Sequence, residues 1–381
     1  MRILSVTYEY PPVGGGGATV AAALNAALVA DGHIVDVVTS AMRGLPRTET
    51  MNGVSVHRAP CWRRHLHYTT APELATTLLP AYWLADRVIR ANRPAVIHAH
   101  FALPSGVVAR MLSIRHGIPY VLTAHGSDIP GYNPDRFGVL HRLLRPFWRR
   151  VLRDAAAVTS PSQFLSGLIG RSFDGPVKII PNGYSAPAPL GRPKRNLVLV
   201  VARLFPRKGV QHFIDSVGRL GGDWEMVIAG DGPYLPALRE RAERASACVR
   251  FAGFVGKSEL RVLYEEARIL VFPSIRENFP MVLLEGMDAG CAIITTDAEG
   301  CAEVVGEAGV IIEKGNPVAL RAALLALMGS EARCQELGAR ATSRAELFRW
   351  PRMAAQYADV FEAVSRPRAA RALVLRTTVA P

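Results

Sequence analysis

Two carboxylates, Glu277 and Glu285, stand eight residues apart in the stretch Ser274-Ile275-Arg276-Glu277-Asn278-Phe279-Pro280-Met281-Val282-Leu283-Leu284-Glu285. The apolar run Ile269-Leu270-Val271-Phe272 precedes it, and the small residues Gly286, Ala289 and Gly290 follow. That order reads as a buried strand, a tight turn and a helix. A helix beginning near Phe279 or Pro280 leaves Glu277 in the loop at its positive end. It carries Glu285 one to two turns inside, at about 1.5 Å of rise per residue. Carboxylates so placed bracket a small polar ligand, and a general acid/base pair is the first chemistry the spacing invites.

The cations come next. Arg203 and Lys208 lie five residues apart in the loop Ala202-Arg203-Leu204-Phe205-Pro206-Arg207-Lys208-Gly209. Two fixed cations beside the amides of a following helix make a site for a diphosphate. A basic surface loop is the bland alternative. The neighbouring turn Gly230-Asp231-Gly232 and the two glutamates weigh against it. A carboxylate suits a ribose diol, and Glu285 supplies one. Diphosphate on Arg203 and Lys208 with ribose on Glu285 describes a nucleotide diphosphate, and Glu277 then faces whatever the diphosphate carries.

His98, His100 and His125 fall at strand ends, where open α/β sheets bind ligands. Single histidines are usually packed or solvated, but three at adjacent strand ends form a group. His125 is the preferred functional one, because Gly126 permits close approach. No carboxylate accompanies them at a ligand spacing, so no metal is expected. Gly14-Gly15-Gly16-Gly17 follow the first strand and open a helix, where free amides favour an anion. The spacing differs from the G-x-G-x-x-G dinucleotide fingerprint.

The elements that position these groups repeat. Strands at Arg2–Thr7, Ile34–Thr39, Val96–His100, Tyr120–Thr123, Ala155–Thr159 and Val177–Ile180 alternate with helices at Ala18–Ala30, Pro72–Asn92 and Pro104–His116. Residues 43–70 read as irregular and Arg/His-rich. The Pro/Ala/Gly/Lys stretch 186–196 reads as a linker, after which the pattern restarts from Leu197. Repeated βα units give parallel sheets covered by helices. The expectation is an α/β chain of two doubly wound, Rossmann-like domains facing across a cleft, one over 1–185 and one over 186–349. Asp135–Asp154 differs in character. Arg136, Arg142, Arg145, Arg149, Arg150 and Arg153 alternate there with Phe137, Leu140, Leu143, Leu144, Phe147, Trp148, Val151 and Leu152. This amphipathic basic helix, with Pro146 as a candidate break, suits an anionic membrane surface or a core with a solvated Arg face.

The length of 381 residues fits two domains, and a 49% hydrophobic fraction fits ordinary cores. Net charge is +13 and uneven: residues 1–189 carry 19 Lys/Arg against 10 Asp/Glu, and residues 190–381 carry 26 against 22. A basic first half implies an anionic partner or simply solubility. Five scattered cysteines with no C-x-x-C pair argue against a disulfide framework or structural zinc. No run reaches the ~18 apolar residues of a membrane span, and the polar start does not resemble a signal peptide. A cytoplasmic location follows, with the inner face of the membrane open through residues 136–153.

At this point the chain resembles a retaining glycosyltransferase of the GT-B fold, in the family 4 (group 1) grouping. The resemblance spans nearly the whole chain. It rests most on Glu277-x7-Glu285 after Pro273-Ser274, and also on Gly14–Gly17, Thr123-Ala124-His125-Gly126-Ser127-Asp128, Pro181-Asn182-Gly183, Val201-Ala202-Arg203 with Lys208-Gly209, and Gly230-Asp231-Gly232-Pro233. It implies that Arg203 and Lys208 bind the donor diphosphate and Glu285 the ribose. Glu277 and the amides of Asn278, Phe279 and Pro280 touch the donor sugar or phosphate, and Gly230 lines the donor side. His125 lies near the reacting carbon, and Gly16 and Gly17 face the donor phosphates and acceptor. The helix near 350–365 returns to the first domain. Departures are Ser185, where the family carries an acid, and Cys301-Ala302, where a Pro is common.

The implied reaction moves a sugar from a nucleotide diphosphate sugar to an acceptor with retention of configuration, in cell-surface polysaccharide or glycolipid synthesis. No cofactor is implied. No D-x-D occurs, so no metal bridge to the diphosphate is expected. Competing readings are a nucleotide-sugar epimerase of the same fold and a phosphorylase, which would need a cofactor lysine. A non-catalytic nucleotide-sugar or polyanion-binding protein is another. Nucleic acid is not an expected partner, since aromatic stacking platforms and known motifs are absent from the sequence.

Overall fold

The structure is a computed structural model that describes residues 1–66, 69–132, 134–218, 220 and 222–366; over 134–143 it describes the backbone course alone. The chain forms two compact units. One comprises residues 1–183 and the described residues from 350 onward, and the other residues 184–349.

The first unit runs β1 (Arg2–Val6), α1 (Gly16–Ala30), β2 (Ile34–Ser40), β3 (Thr48–Met51), β4 (Val54–Ala59), α2 (Ala71–Asn92), β5 (Val96–His100), α3 (Val107–His116), β6 (Tyr120–Thr123), α4 (Pro134–Asp154), β7 (Ala157–Ser160), α5 (Gln163–Gly170) and β8 (Val177–Ile179). The second runs β9 (Arg195–Val201), α6 (Val210–Val217), β10 (Glu225–Ala229), α7 (Leu235–Arg244), β11 (Val249–Gly253), α8 (Lys257–Glu266), β12 (Ala267–Phe272), α9 (Met281–Asp288), β13 (Ala292–Thr296), α10 (Glu299–Val305), β14 (Val310–Ile312), α11 (Pro317–Met328) and α12 (Glu331–Ala345). The last helix, α13 (Trp350–Ser365), belongs to the first unit.

The first sheet has the order β3-β4-β2-β1-β5-β6-β7-β8, parallel except for β3 on β4. Side chains alternate across a strand, so neighbouring apolar residues enter opposite cores. Leu4, Ile97 and Leu122 pack with α2, α3, α4 and α5 on one face. Ile3, Val96 and Val121 pack with α1 and α13 on the other, where Met353, Tyr357 and Phe361 are buried. The second sheet, β11-β10-β9-β12-β13-β14, is parallel throughout. Leu199, Val227 and Leu270 meet α8, α9, α10 and α12. Val198, Ile228 and Val271 meet α6, α7 and α11.

Strand order reverses between β1 and β5 in the first sheet and between β9 and β12 in the second. Loops on either side of such a reversal leave in opposite directions and open a crevice. Gly14–Gly17 and the β5 end flank the first reversal. Arg203–Lys208 and Glu277 flank the second.

The structure corrects several expectations. Residues 43–70 are not irregular throughout: β3 and β4 form a hairpin turned by Asn52 (φ 48°) and Gly53 (φ 78°). Two positive φ values match the strand twist, and Asn-Gly is the pair that adopts them without strain. Helices α5 and α10 add to the expected set. Helix α3 begins at Val107, because residues 102–106 form a wider turn first. Helix α4 continues through Pro146 without ending; Arg136, Phe137, Leu140, Arg142 and Leu143 lie outside the described side chains. Among the described residues, no helix is long and apolar enough to cross a membrane.

Candidate active site

In the second unit, the loop after β9 carries both cations. Arg203 is exposed, with its guanidinium 6.0 Å from the Phe205 ring centre. Lys208 closes a single turn at Pro206–Lys208, and its ammonium pairs with the Glu277 carboxylate. Only 14% of the Lys208 side chain and 12% of the Glu277 side chain are exposed, so water screens this pair weakly. The Ser274 hydroxyl donates to Glu277 Oε1 at 3.0 Å, and Ile275 N–H donates to the Arg207 carbonyl at 2.9 Å. The loops after β9 and β12 are thus stitched into one surface.

Gly230 fixes the neighbouring loop. Its φ is +141°, and a Cβ there would stand 1.8 Å from the Ala202 carbonyl oxygen. No other residue permits that approach. It lets Leu204 N–H reach the Asp231 carbonyl at 2.9 Å, which holds the arginine-bearing loop against the β10 end.

Glu285 sits in the second turn of α9, half-buried. Tyr264 of α8, 2% exposed, donates its hydroxyl to Glu285 Oε2 at 2.7 Å. Burial pushes the Glu285 carboxyl above its ordinary value, while the Tyr264 hydrogen bond and the charges of Lys257 and Arg261 hold it back. Three residues further along α9, Asp288 is gripped by Arg261 at 3.0 Å and Arg349 at 2.9 Å and accepts from the Tyr184 hydroxyl at 3.3 Å. The helix that carries Glu285 is therefore pinned at its far end.

In the first unit, the ends of β5 and β6 bring the histidines together. His98 and His100 point to one face, and His100 pairs in register with Thr123. His100 Nδ1 lies 3.0 Å from His125 Nε2. The His98 and His100 rings are buried and His125 is half-buried; desolvation keeps all three neutral, with His98 falling to about 3, His125 to about 4, and His100 well below the usual range. The Asp128 carboxylate accepts from the amides of Ala102 (2.7 Å), His125 (3.1 Å) and Gly126 (3.0 Å), tying both loops to one side chain.

At the mouth of α1, the Glu9 carboxyl is buried; burial raises it above its ordinary value, and the nearby amides of Gly15 and Ala18 hold it back. Part of the helix start thus already faces an acid of the chain itself. A Cβ on Gly17 would meet the Phe101 ring at 2.4 Å, whereas one on Gly16 meets nothing within 4 Å. Gly17 makes room for Phe101, which packs 4.6 Å from His125.

A family description, "Glycosyl transferases group 1", matches residues 186–344, and "Glycosyl transferase 4-like domain" matches residues 15–183. Glycogen synthase of Mycobacterium tuberculosis is 30% identical, over 96% of this chain and 95% of its own. The chain belongs to the group 1 glycosyltransferases. Its fold is similar to that of sucrose-phosphate synthase from Thermosynechococcus elongatus (TM-score 0.78, 21% identity, 95% of this chain and 98% of that one). It is also similar to that of HepE from Anabaena in complex with UDP and glucose (TM-score 0.71, 18% identity, 95% and 100%).

In this glycosyltransferase, Arg203, Lys208, Gly230, Glu277, Asn278, Phe279, Pro280 and Glu285 all belong to the second unit. Gly16, Gly17 and His125 belong to the first. One expected contact needs correction. Pro280 has no N–H and serves as the N-cap of α9, its carbonyl accepting from Leu283 N–H at 3.2 Å. Only Asn278 and Phe279 offer amides there. Phe279 is 9% exposed and packs 5.7 Å from Phe348, so its ring serves the core. Sequence reasoning passed over Tyr264 and Asp288, and it quoted Asp128 within the motif Thr123–Asp128 without giving it a role. Tyr264 had no signal beyond its place in a helix pattern.

Proposed function

We propose that this glycosyltransferase moves a sugar from a nucleotide diphosphate sugar to an acceptor, with retention of configuration and without a metal. The observation that carries the reading is the convergence at the β9/β12 reversal: two cations, one pre-positioned by Glu277, on the loop after β9, and a half-buried carboxylate one helix away. The leaving diphosphate gains negative charge as the bond to the sugar breaks. Cations and amides held beforehand stabilise it most in the transition state. Arg203 and Lys208 take that role, Glu285 holds the ribose diol, and the amides of Asn278 and Phe279 hold the donor's sugar side. The attacking hydroxyl enters on the face the diphosphate leaves, and a donor phosphate oxygen takes its proton. His125, Gly16 and Gly17 serve the sugar and acceptor. HepE was seen with UDP and glucose, which supports a donor of this class.

The acceptor reading is a glycan or lipid-linked glycan in polysaccharide or glycolipid synthesis, met at an anionic membrane surface. Phe147 on α4 is 66% exposed, and Arg145, Arg149 and Arg150 around it are exposed as well. An aromatic ring among arginines suits a headgroup layer better than open water.

The test is thermal unfolding with UDP, GDP and ADP in turn. A nucleotide at a hundred times its Kd stabilises by about 2.7 kcal/mol, so one of the three raises Tm, and Arg203→Ala or Lys208→Ala abolishes the rise. No rise with any of them at millimolar concentration overturns the donor assignment.

A further inference from the structure

We propose that His100 is a positioning residue that fixes His125 in the tautomer bearing hydrogen on Nδ1, by donating its own Nδ1–H to His125 Nε2. The inference deepens the reading of His125 as the residue beside the reacting carbon and rests on it.

One hydrogen lies between the two rings, across 3.0 Å. If His125 supplied it, the His100 hydrogen would sit on Nε2. That atom is buried and has no partner among the described residues, and His100 is 0% exposed. A buried N–H without an acceptor is rare, while a bare ring nitrogen is tolerated far better. His100 therefore carries its hydrogen on Nδ1 and donates it. His125 then accepts on Nε2 and, being neutral, holds its own hydrogen on Nδ1.

The neighbouring ring obeys the same rule. His98 Nδ1 is buried without a partner among the described residues, so its hydrogen sits on Nε2, 2.8 Å from Thr123 Oγ1. Thr123 Oγ1 lies 2.7 Å from Thr159 Oγ1, which carries the chain onward.

The support around His100 is rigid. His98 and His100 are two residues apart on one strand, with ring centres 4.1 Å apart. Tyr357 and Phe361 of α13 close on His98 from the other side at 5.4 and 5.1 Å. Asp128 fixes the backbone of His125, and Phe101 lies against its ring. With backbone and one face held in this way, the hydrogen bond from His100 sets which ring nitrogen of His125 carries hydrogen. A single fixed donor serves to orient a sugar hydroxyl, whereas a mixture of tautomers does not.

The experiment is a long-range proton–nitrogen correlation on the full chain labelled with 15N-histidine, with His125→Asn used for assignment. Wild-type protein should show His100 and His125 as neutral Nδ1–H tautomers. His100→Leu should shift His125 away from that signature and lower kcat on the order of tenfold to a hundredfold, with donor KM changed less than about threefold. His100→Asn, whose amide nitrogen stands near the place of Nδ1, should restore both. An Nε2–H signature for His125 in wild type overturns the proposal, as does an unchanged signature in His100→Leu. If His100→Leu does not fold, the wild-type spectrum and His100→Asn decide. If the tautomers are as stated but His125→Asn transfers sugar at the wild-type rate, His125 does not act in the reaction; the proton assignment stands and the functional role falls.

Discussion

Tyr264 holds Glu285 through a 2.7 Å hydrogen bond from a buried hydroxyl, so the carboxylate expected to bind ribose is oriented by a neighbouring helix. Burial raises the Glu285 carboxyl in the folded state. A raised carboxyl contributes stability below its unfolded value near 4.5, and that contribution is lost as pH rises through the higher folded value. At pH 8 the charged carboxylate therefore costs stability. Glu285→Gln should raise Tm by a few degrees at pH 8, with the gain shrinking toward pH 4, since about 1 kcal/mol moves Tm by about 2–4 °C in a domain of this size. The same variant should weaken nucleotide binding at least about tenfold. Tyr264→Phe should weaken it less. Equal gains in Tm at both pH values would contradict the assignment.

Lys208 and Glu277 form the second relationship that binds the site together. Removing either partner leaves the other half-buried and uncompensated, which costs stability as well as function. Arg203→Ala and Lys208→Ala should each lower turnover at least about tenfold. Lys208→Ala should also lower Tm, whereas the exposed Arg203 should leave Tm almost unchanged. Single-turnover rates alongside melting curves separate the two effects. Near-wild-type turnover in either variant removes that residue from the reaction.

The charged residues of the second unit were legible because chemistry and periodicity coincide there. A strand, a turn of defined residues and a short helix leave little choice about where Arg203, Lys208 and Glu277 fall. The reversal of strand order between β9 and β12, which brings these loops side by side, is a property of sheet topology that no local pattern encodes. Tyr264 was invisible for a related reason. A tyrosine on α8 looks the same whether it points to core or to a carboxylate, and only the packing of α8 on α9 decides. The β3–β4 hairpin was legible in principle through Asn52-Gly53, but the surrounding Arg and His residues masked the alternation. At α1, Gly14–Gly17 pointed to an anion site; the acid whose titration the Gly15 and Ala18 amides influence is Glu9, earlier in the chain.

Transfer should persist in EDTA. In the proposed reaction Arg203 and Lys208 stabilise the leaving diphosphate, the part a metal bridge would otherwise play. The rate in millimolar EDTA should lie within about twofold of the untreated rate. Complete loss, restored by Mg²⁺ or Mn²⁺, would reject metal-independent leaving-group stabilisation.

The exposed Phe147 and its arginine neighbours predict binding to vesicles containing anionic lipid. Flotation should be strong with phosphatidylserine or phosphatidylglycerol and weak with phosphatidylcholine alone. It should fade at high salt, because screening shortens to a few ångströms near 1 M. Arg149→Glu combined with Arg150→Glu should abolish it. Equal flotation with both vesicle types would discard the electrostatic part of this reading.

The desolvated histidines should set the acid limit of the first unit. His98, which is buried, and His125, which is half-buried, fall to about 3 and about 4, against 6.5 for an exposed ring, because desolvation disfavours the charged form. A depressed histidine contributes stability that is present above the unfolded value and is lost as pH falls toward the folded one. Stability should therefore decline steeply from pH 6.5 to 4, as protons are taken up on unfolding. His98→Gln keeps a donor near the place of Nε2 but cannot titrate, so it should flatten that decline while lowering Tm at pH 8 through imperfect packing among Tyr357, Phe361 and His100. Thermal melts of both proteins at half-unit pH steps give the comparison. Parallel curves across that window would mean that His98 protonates as readily in the folded chain as in the unfolded one, contrary to its burial.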